Sequence, residues 1–351
     1  MIIQWDDYRP PADMQVAIDA VNRLSTEEIQ ARLPIPGGHN GGRATFSFRI
    51  YTQYDLNEVE KVYVIIGGFA EQANTLDAGI KGLLVDALAE QINSGKYAIV
   101  IIGGLFSFPV RERDKLLKQG GSGSLLIVAE EVARLLKSKF KALHVATVSG
   151  YSMGGVMAPL VARAIIEQGV ATVDQVGCGE PTYAALSTTG FRMLQRTARA
   201  SAYRNEQIKA SAIPAYISAK KAPGSTLARA AYRARLYRPL VRRLPSMRLV
   251  VRDLALQASD YPPTSRRVQL REALHYLAEN GVTINLLHAE HSIICQASAF
   301  YQLADDLREI ADSQLQLIII KGLRADHGIE EQRSLSTPFL VKPDIYASLL
   351  A

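Results

Sequence analysis

The stretch LHVATVSGYSMGGVMAPLVARAII, Leu143 to Ile166, constrains the fold of this chain more than any other. Leu143, Val145, Ala146 and Val148 form a short apolar run, the pattern of a strand buried on both faces. Beyond it, the spacing of Val156, Pro159, Leu160 and Ala164 predicts a helix with one apolar face. Pro159 is expected in the first turn of that helix, where its missing N–H is not needed. Little chain is left between the two elements, so the turn joining them must be very tight. Gly150 and Gly154 leave room where a Cβ would collide, and Gly155 lets the helix approach the sheet. Ser152 stands at the apex, two residues from a glycine on either side, with its hydroxyl expected above the sheet.

The rest of the chain alternates strand and helix patterns. Residues 1–42 read as helical (MQVAIDAVNRL, then TEEIQARL) and end in the loop PIPGGHNGG. Ala44–Gln53 alternates apolar and polar residues, as an antiparallel strand does. Lys61–Gly68 and Tyr97–Gly104 are buried strands, each ending in Gly-Gly, with a helix over Leu76–Ile92 between them. Ser124–Phe140 is an amphipathic helix, and the serine strand follows it. Further strands are expected at Thr172–Gly179, Val282–His288 and Gln314–Gly322, with a helix between the last two and another at the end. This alternation predicts a parallel, doubly wound α/β sheet.

Composition limits the rest. The chain has 351 residues, 48% hydrophobic and 21% charged, enough for a large core in one domain with an insertion, or in two domains. Its longest apolar run, Tyr97–Phe108, is broken by two glycines and falls short of the roughly 18 residues a membrane helix needs. The start, MIIQWDDYRPP, lacks the basic-then-apolar order of a secretory leader. Two cysteines, Cys178 and Cys295, suggest no disulfide framework, and the expected location is cytoplasmic. Arg192 to Arg252 holds 15 Lys and Arg and one acid, Glu206, so it carries +14 and leaves −8 on the rest of a chain whose total is +6.

The motif G-x-S-x-G between a strand and a helix is the nucleophile elbow of the α/β-hydrolases. The chain resembles that superfamily over roughly residues 40–185 and 281–351, most specifically in the strand before the elbow, the elbow itself, and a final strand followed by a histidine. The resemblance implies an α/β-hydrolase core from residues 1–187 and 282–351. The basic, helix-prone insertion, residues 188–281, would then be a helical cap.

It also implies roles for particular residues. A serine hydroxyl needs a base, a group that orients the base, and donors for the developing oxyanion. Ser152 would be the nucleophile. Of six histidines, only His327 follows the last strand, in IIIKGLRADHGIEEQ, and it would be the general base. The backbone N–H groups of Met153 and Phe69 would form the oxyanion hole. Many relatives carry His-Gly after the first buried strand, whereas this chain reads IIGGFAEQ, with Gly67 in place of the histidine.

The acid departs from the family pattern. Laying His-Gly-x-x-Asp on HAEHS puts Ser292 where aspartate is expected. Glu290, in the same loop, ranks first as its substitute. Glu180, after the preceding strand, is the alternative, and Asp326 is too close to His327 in sequence to face its Nδ1.

No cofactor or metal is expected. Neither G-x-x-x-x-G-K-S/T nor G-x-G-x-x-G occurs, KQGGSGS follows no strand, and HAEH lacks the H-E-x-x-H spacing of a helical zinc site.

The leading expectation is a serine hydrolase of a carboxylic ester or thioester. An acyltransferase or a cofactor-free lyase would use the same residues. A binding protein that has lost catalysis is the competing class, which the serine at position 292 favours slightly and the intact elbow disfavours. The basic segment would suit an anionic substrate, an anionic membrane surface or an acidic partner. Nucleic acid is not the expected partner, because no recognised motif accompanies the charge.

Overall fold

A computed structural model of the chain describes residues 2–4, 25–34, 43–68, 96–103, 124–141, 143–181, 266–290, 292, 295 and 297–321. Nine strands form one sheet: β1 (Ile2–Gln4), β2 (Ser25–Pro34), β3 (Arg43–Thr52), β4 (Lys61–Ile66), β5 (Tyr97–Ile102), β6 (His144–Tyr151), β7 (Thr172–Gly179), β8 (Thr283–Ala289) and β9 (Leu315–Lys321). Among the described residues, four α-helices accompany them: α1 (Ser124–Lys139), α2 (Met153–Glu167), α3 (Arg266–Glu279) and α4 (Ala297–Ala311).

The spatial order is β1-β9-β8-β7-β6-β4-β5-β3-β2. Only β3 runs against the others, paired antiparallel to both β2 and β5. Numbered from β2 to β9, this is the eight-strand sheet of the α/β-hydrolase fold, with its second strand reversed and its third and fourth exchanged. The three residues of β1 extend it beyond β9.

The buried strands match their composition. Every residue of β4, β5, β6 and β8 after the first is buried, as a parallel sheet covered on both faces requires. On one face, Val62, Val64, Val100, Val176, Ile284 and Leu286 share a single core with all four helices. Helix α1 supplies Leu125, Val128, Ala129, Val132 and Leu136, and α4 supplies Phe300, Leu303, Ala304 and Leu307, both at the spacing of one helical face. Helix α2 is buried nearly all round and packs against α1, α3, β4, β6 and β7. Among the described residues, no helix is long and apolar enough to cross a membrane.

Three expectations change. TEEIQARL is not helical: it lies in β2, paired along ten positions with β3, and cross-strand pairing overrides its helical propensity. Pro159 is not in the first turn, because α2 begins at Met153, directly after the serine. Its ring therefore faces the carbonyl of Gly155 and removes one intrahelical bond, which the dense packing around α2 tolerates. Arg266–Glu279, within the segment read as cap, is a core helix. Its Leu270, Ala273, Leu274 and Leu277 are buried, and it packs on α2, α4 and β8. The rest of that segment, residues 188–265, lies outside the described residues, as do MQVAIDAVNRL, the helix expected over Leu76–Ile92 and the final helix.

Candidate active site

Ser152 occupies the single residue between β6 and α2. Its φ of 58° and ψ of −116° put a side-chain-bearing residue in a region such residues rarely adopt, at a cost of order 1–3 kcal/mol. The surroundings leave it no alternative. The Ser152 N–H donates to the carbonyl of Gly179 on β7 at 2.8 Å, which pins the turn to the neighbouring strand. A Cβ on Gly150 would collide with the carbonyl of Gly154, and a Cβ on Gly154 would collide with the carbonyl of Ile66 at the end of β4. A Cβ on Gly155 would come within 2.7 Å of the Gly179 oxygen. These contacts hold a one-residue turn from strand to helix with Ser152 at its tip. Ser152 is half-buried, and its side chain does not cap α2.

Met153 is the first residue of α2. Its N–H therefore lies in the first turn, where no carbonyl of the same helix can accept it and where the helix dipole favours negative charge. The chain leaving β4 through Gly67 runs beside it: the carbonyls of both Ile66 and Gly67 lie against Gly154. Phe69, two residues further on, lies outside the described residues, as does His327.

The two acids differ in setting. Glu290 is exposed, one residue beyond β8. Glu180 follows β7 directly, is 0% exposed, and has a φ of 45°. A fully buried carboxylate is costly unless it is paired and hydrogen-bonded. Here Oε1 accepts the Ala289 N–H at 2.6 Å and lies 2.9 Å from Nδ1 of His288, which as the protonated ring nitrogen donates to it. The backbone N–H of Glu180 donates to the Leu287 carbonyl at 2.9 Å.

The His288–Glu180 pair was not foreseen, because 108 positions separate the partners. A sequence signal does exist: each residue stands at the C-terminal end of its strand, and the pairings Tyr151 with Gly179 and Gly179 with Leu287 put Ser152, Glu180 and His288 at one level on adjacent strands.

The His288 ring is 2% exposed and stacks on Phe300 of α4, with centroids 4.8 Å apart. Cys295 completes the cluster: its thiol and one donor atom each from Glu180 and His288 lie within 4.8 Å of one another. Burial, and then the nearby Glu180 carboxylate, hold that thiol well above the usual range. Glutamate, histidine and cysteine are all metal-ligating types, but Nδ1 and Oε1 already face each other. An ion would have to displace that hydrogen bond.

A cavity lined by Ile50, Thr52, Tyr54, Leu56 and Lys139 lies at the opposite edge of the sheet, beside the C-terminal end of β3, and is no part of this constellation.

No protein-family model matches the chain, and no curated protein matches it. Solved structures that resemble it include an esterase from Pyrobaculum calidifontis (13% identity, 97% of this chain and 91% of that one, TM-score 0.44). Another is an esterase from Pyrococcus furiosus (11% identity, 98% and 93%, TM-score 0.47). A third is an acylaminoacyl peptidase from Pyrococcus horikoshii (11% identity, 93% of this chain but 41% of that one, TM-score 0.45). Likenesses at that level add nothing to the strand order and the tight turn at Ser152, on which the assignment of an α/β-hydrolase fold rests.

Proposed function

We propose that the chain is a serine hydrolase that cleaves a carboxylic ester or thioester through an acyl-enzyme on Ser152. The observation that carries this reading is the strained Ser152 backbone at the tip of the turn between β6 and α2. A scaffold with no chemistry to perform gains nothing from holding a serine there.

In this reading His327 removes the hydroxyl proton as Oγ bonds to the acyl carbon. The N–H groups of Met153 and Phe69 hold the oxyanion, and the leaving alcohol or thiol takes the proton from His327. Water then enters with His327 again as base, releasing the acid and restoring Ser152. The start of α2 at Met153 and the close passage of Ile66 and Gly67 beside Gly154 support the oxyanion assignment.

Glu290 is proposed as the acid that orients His327. It stands directly after β8, while Oε1 of the alternative, Glu180, already holds the Ala289 amide and faces His288.

A fluorophosphonate probe tests the reading. It should label the wild-type protein and not Ser152→Ala, and the variant should lose p-nitrophenyl ester hydrolysis by at least about a thousandfold while keeping its circular dichroism spectrum. Near-wild-type turnover in a folded Ser152→Ala protein would sink the proposal. A panel of esters of increasing acyl length would then define the substrate.

A further inference from the structure

We infer that Glu180 and His288 are positioning residues: a buried tie that fixes the loop carrying Glu290 against the elbow carrying Ser152. The inference rests on the hydrolase reading above for its catalytic consequence, but the tie itself is visible in the hydrogen bonds. Starting at the nucleophile, the Ser152 N–H is held by the Gly179 carbonyl at 2.8 Å. The next residue, Glu180, gives its N–H to Leu287 on β8 at 2.9 Å and takes the Ala289 N–H on its carboxylate at 2.6 Å. Ala289 in turn accepts the Ser292 N–H at 2.9 Å, and Ser292 Oγ accepts the Cys295 N–H at 3.1 Å just before α4. One run of bonds therefore joins the elbow, the end of β7, the end of β8 and the entry to α4, and Glu290 lies inside the turn it closes.

The details argue for a fixed support. Glu180 adopts a φ of 45°, which a glutamate accepts only when its surroundings demand it. Its side chain is 0% exposed and is held by the Ala289 amide and the His288 ring. His288 stacks against Phe300, with Tyr301 at its edge, which fixes the plane of the imidazole, and Nδ1 lies 2.9 Å from Oε1. Because Ala289 adjoins Glu290, a change in the carboxylate moves the start of the acid loop.

Hydrogen exchange and kinetics on Glu180→Gln and His288→Asn, made separately and together, test this. If one variant does not fold, the other decides alone. In each, exchange at Ala289–Ser292 should quicken at least about tenfold, while β4 and β5 keep wild-type protection. Turnover of p-nitrophenyl acetate should fall roughly 10- to 100-fold with KM within about twofold, as expected for a displaced catalytic group. The double variant should be no worse than the poorer single one, because both belong to one support.

Unchanged exchange at Ala289–Ser292 overturns the tie. Quickened exchange with wild-type turnover overturns the positioning role. A stoichiometric divalent metal in the purified protein, lost in Cys295→Ala, also overturns the inference by making the cluster a metal site. If the wild-type protein takes no fluorophosphonate at Ser152, the hydrolase reading and the positioning role fall, while the exchange result still decides the tie.

Discussion

Gly154 and Ile66 meet backbone to backbone: the carbonyl oxygen that ends β4 occupies the place a Cβ on Gly154 would need. Neither side can yield easily, since Ile66 is a buried residue of a central strand and the first turns of α2 are buried. Gly154→Ala must therefore lift the first turn of α2 from the sheet, at a cost of about 3 kcal/mol or more. Thermal unfolding should show a melting temperature lower by several degrees, and fluorophosphonate labelling of Ser152 should slow with it. A variant with wild-type melting and labelling would contradict the close approach of the two chains.

Glu290 is exposed, so Glu290→Gln should leave stability within about 0.5 kcal/mol of wild type. If the carboxylate orients His327, turnover should nonetheless fall by about a thousandfold or more with KM little changed. Turnover within about threefold of wild type would remove Glu290 from the triad. The contrast with Glu180→Gln is informative, because the buried residue should lose stability as well as rate.

The tight turn at Ser152 could be read from one short stretch because sterics leave few other arrangements for three glycines around a serine between a strand and a helix. The buried parallel strands were equally plain, since both faces demand apolar residues. What escaped depended on partners outside the segment itself. TEEIQARL has helical propensity, and only the ten-residue register with β3 makes it a strand. Arg266–Glu279 looked like the end of a basic insertion until its Leu270, Leu274 and Leu277 met α2 and β8. Glu180 reads locally as a candidate acid, but its bond to His288 does not show in the sequence, because nothing local announces a bond between the ends of two strands.

Both thiols are buried, and burial raises both above the usual cysteine range, with Glu180 adding to the effect at Cys295. Since the thiolate is the reactive form, the native protein at about pH 8 should resist Ellman's reagent, and both cysteines should react after denaturation. A fast-reacting native thiol would contradict the packing around β7 or the Glu180 cluster.

His275 on α3 supplies a pH test. Burial, and then Arg271, lower its affinity for a proton, against opposing pulls from Asp306 and Glu279. Its Nε2 is buried with no partner among the described residues. The unfolded chain therefore binds the proton more readily than the folded one. This contribution is complete above the unfolded imidazole value of about 6.5 and is lost as pH falls through the lower folded value. Melting temperature should drop less steeply between about pH 7 and pH 5 in His275→Gln than in wild type. Parallel curves would show that the residue does not titrate with folding.

The short pairing of Ile2–Gln4 with Ile319–Lys321 gives the sheet an unusual timetable. At roughly 5–20 residues per second, β1 leaves the ribosome about 15–60 s before β9, its neighbour in the sheet. Until β9 arrives, β1 waits unpaired with it and the outer side of β8 stays open. A chain interrupted before Leu315 would expose that side of TINLLHA, a run whose interior is wholly apolar apart from Asn285 and His288. Such an edge recruits other strands, so truncation there should give aggregates and not a smaller soluble sheet.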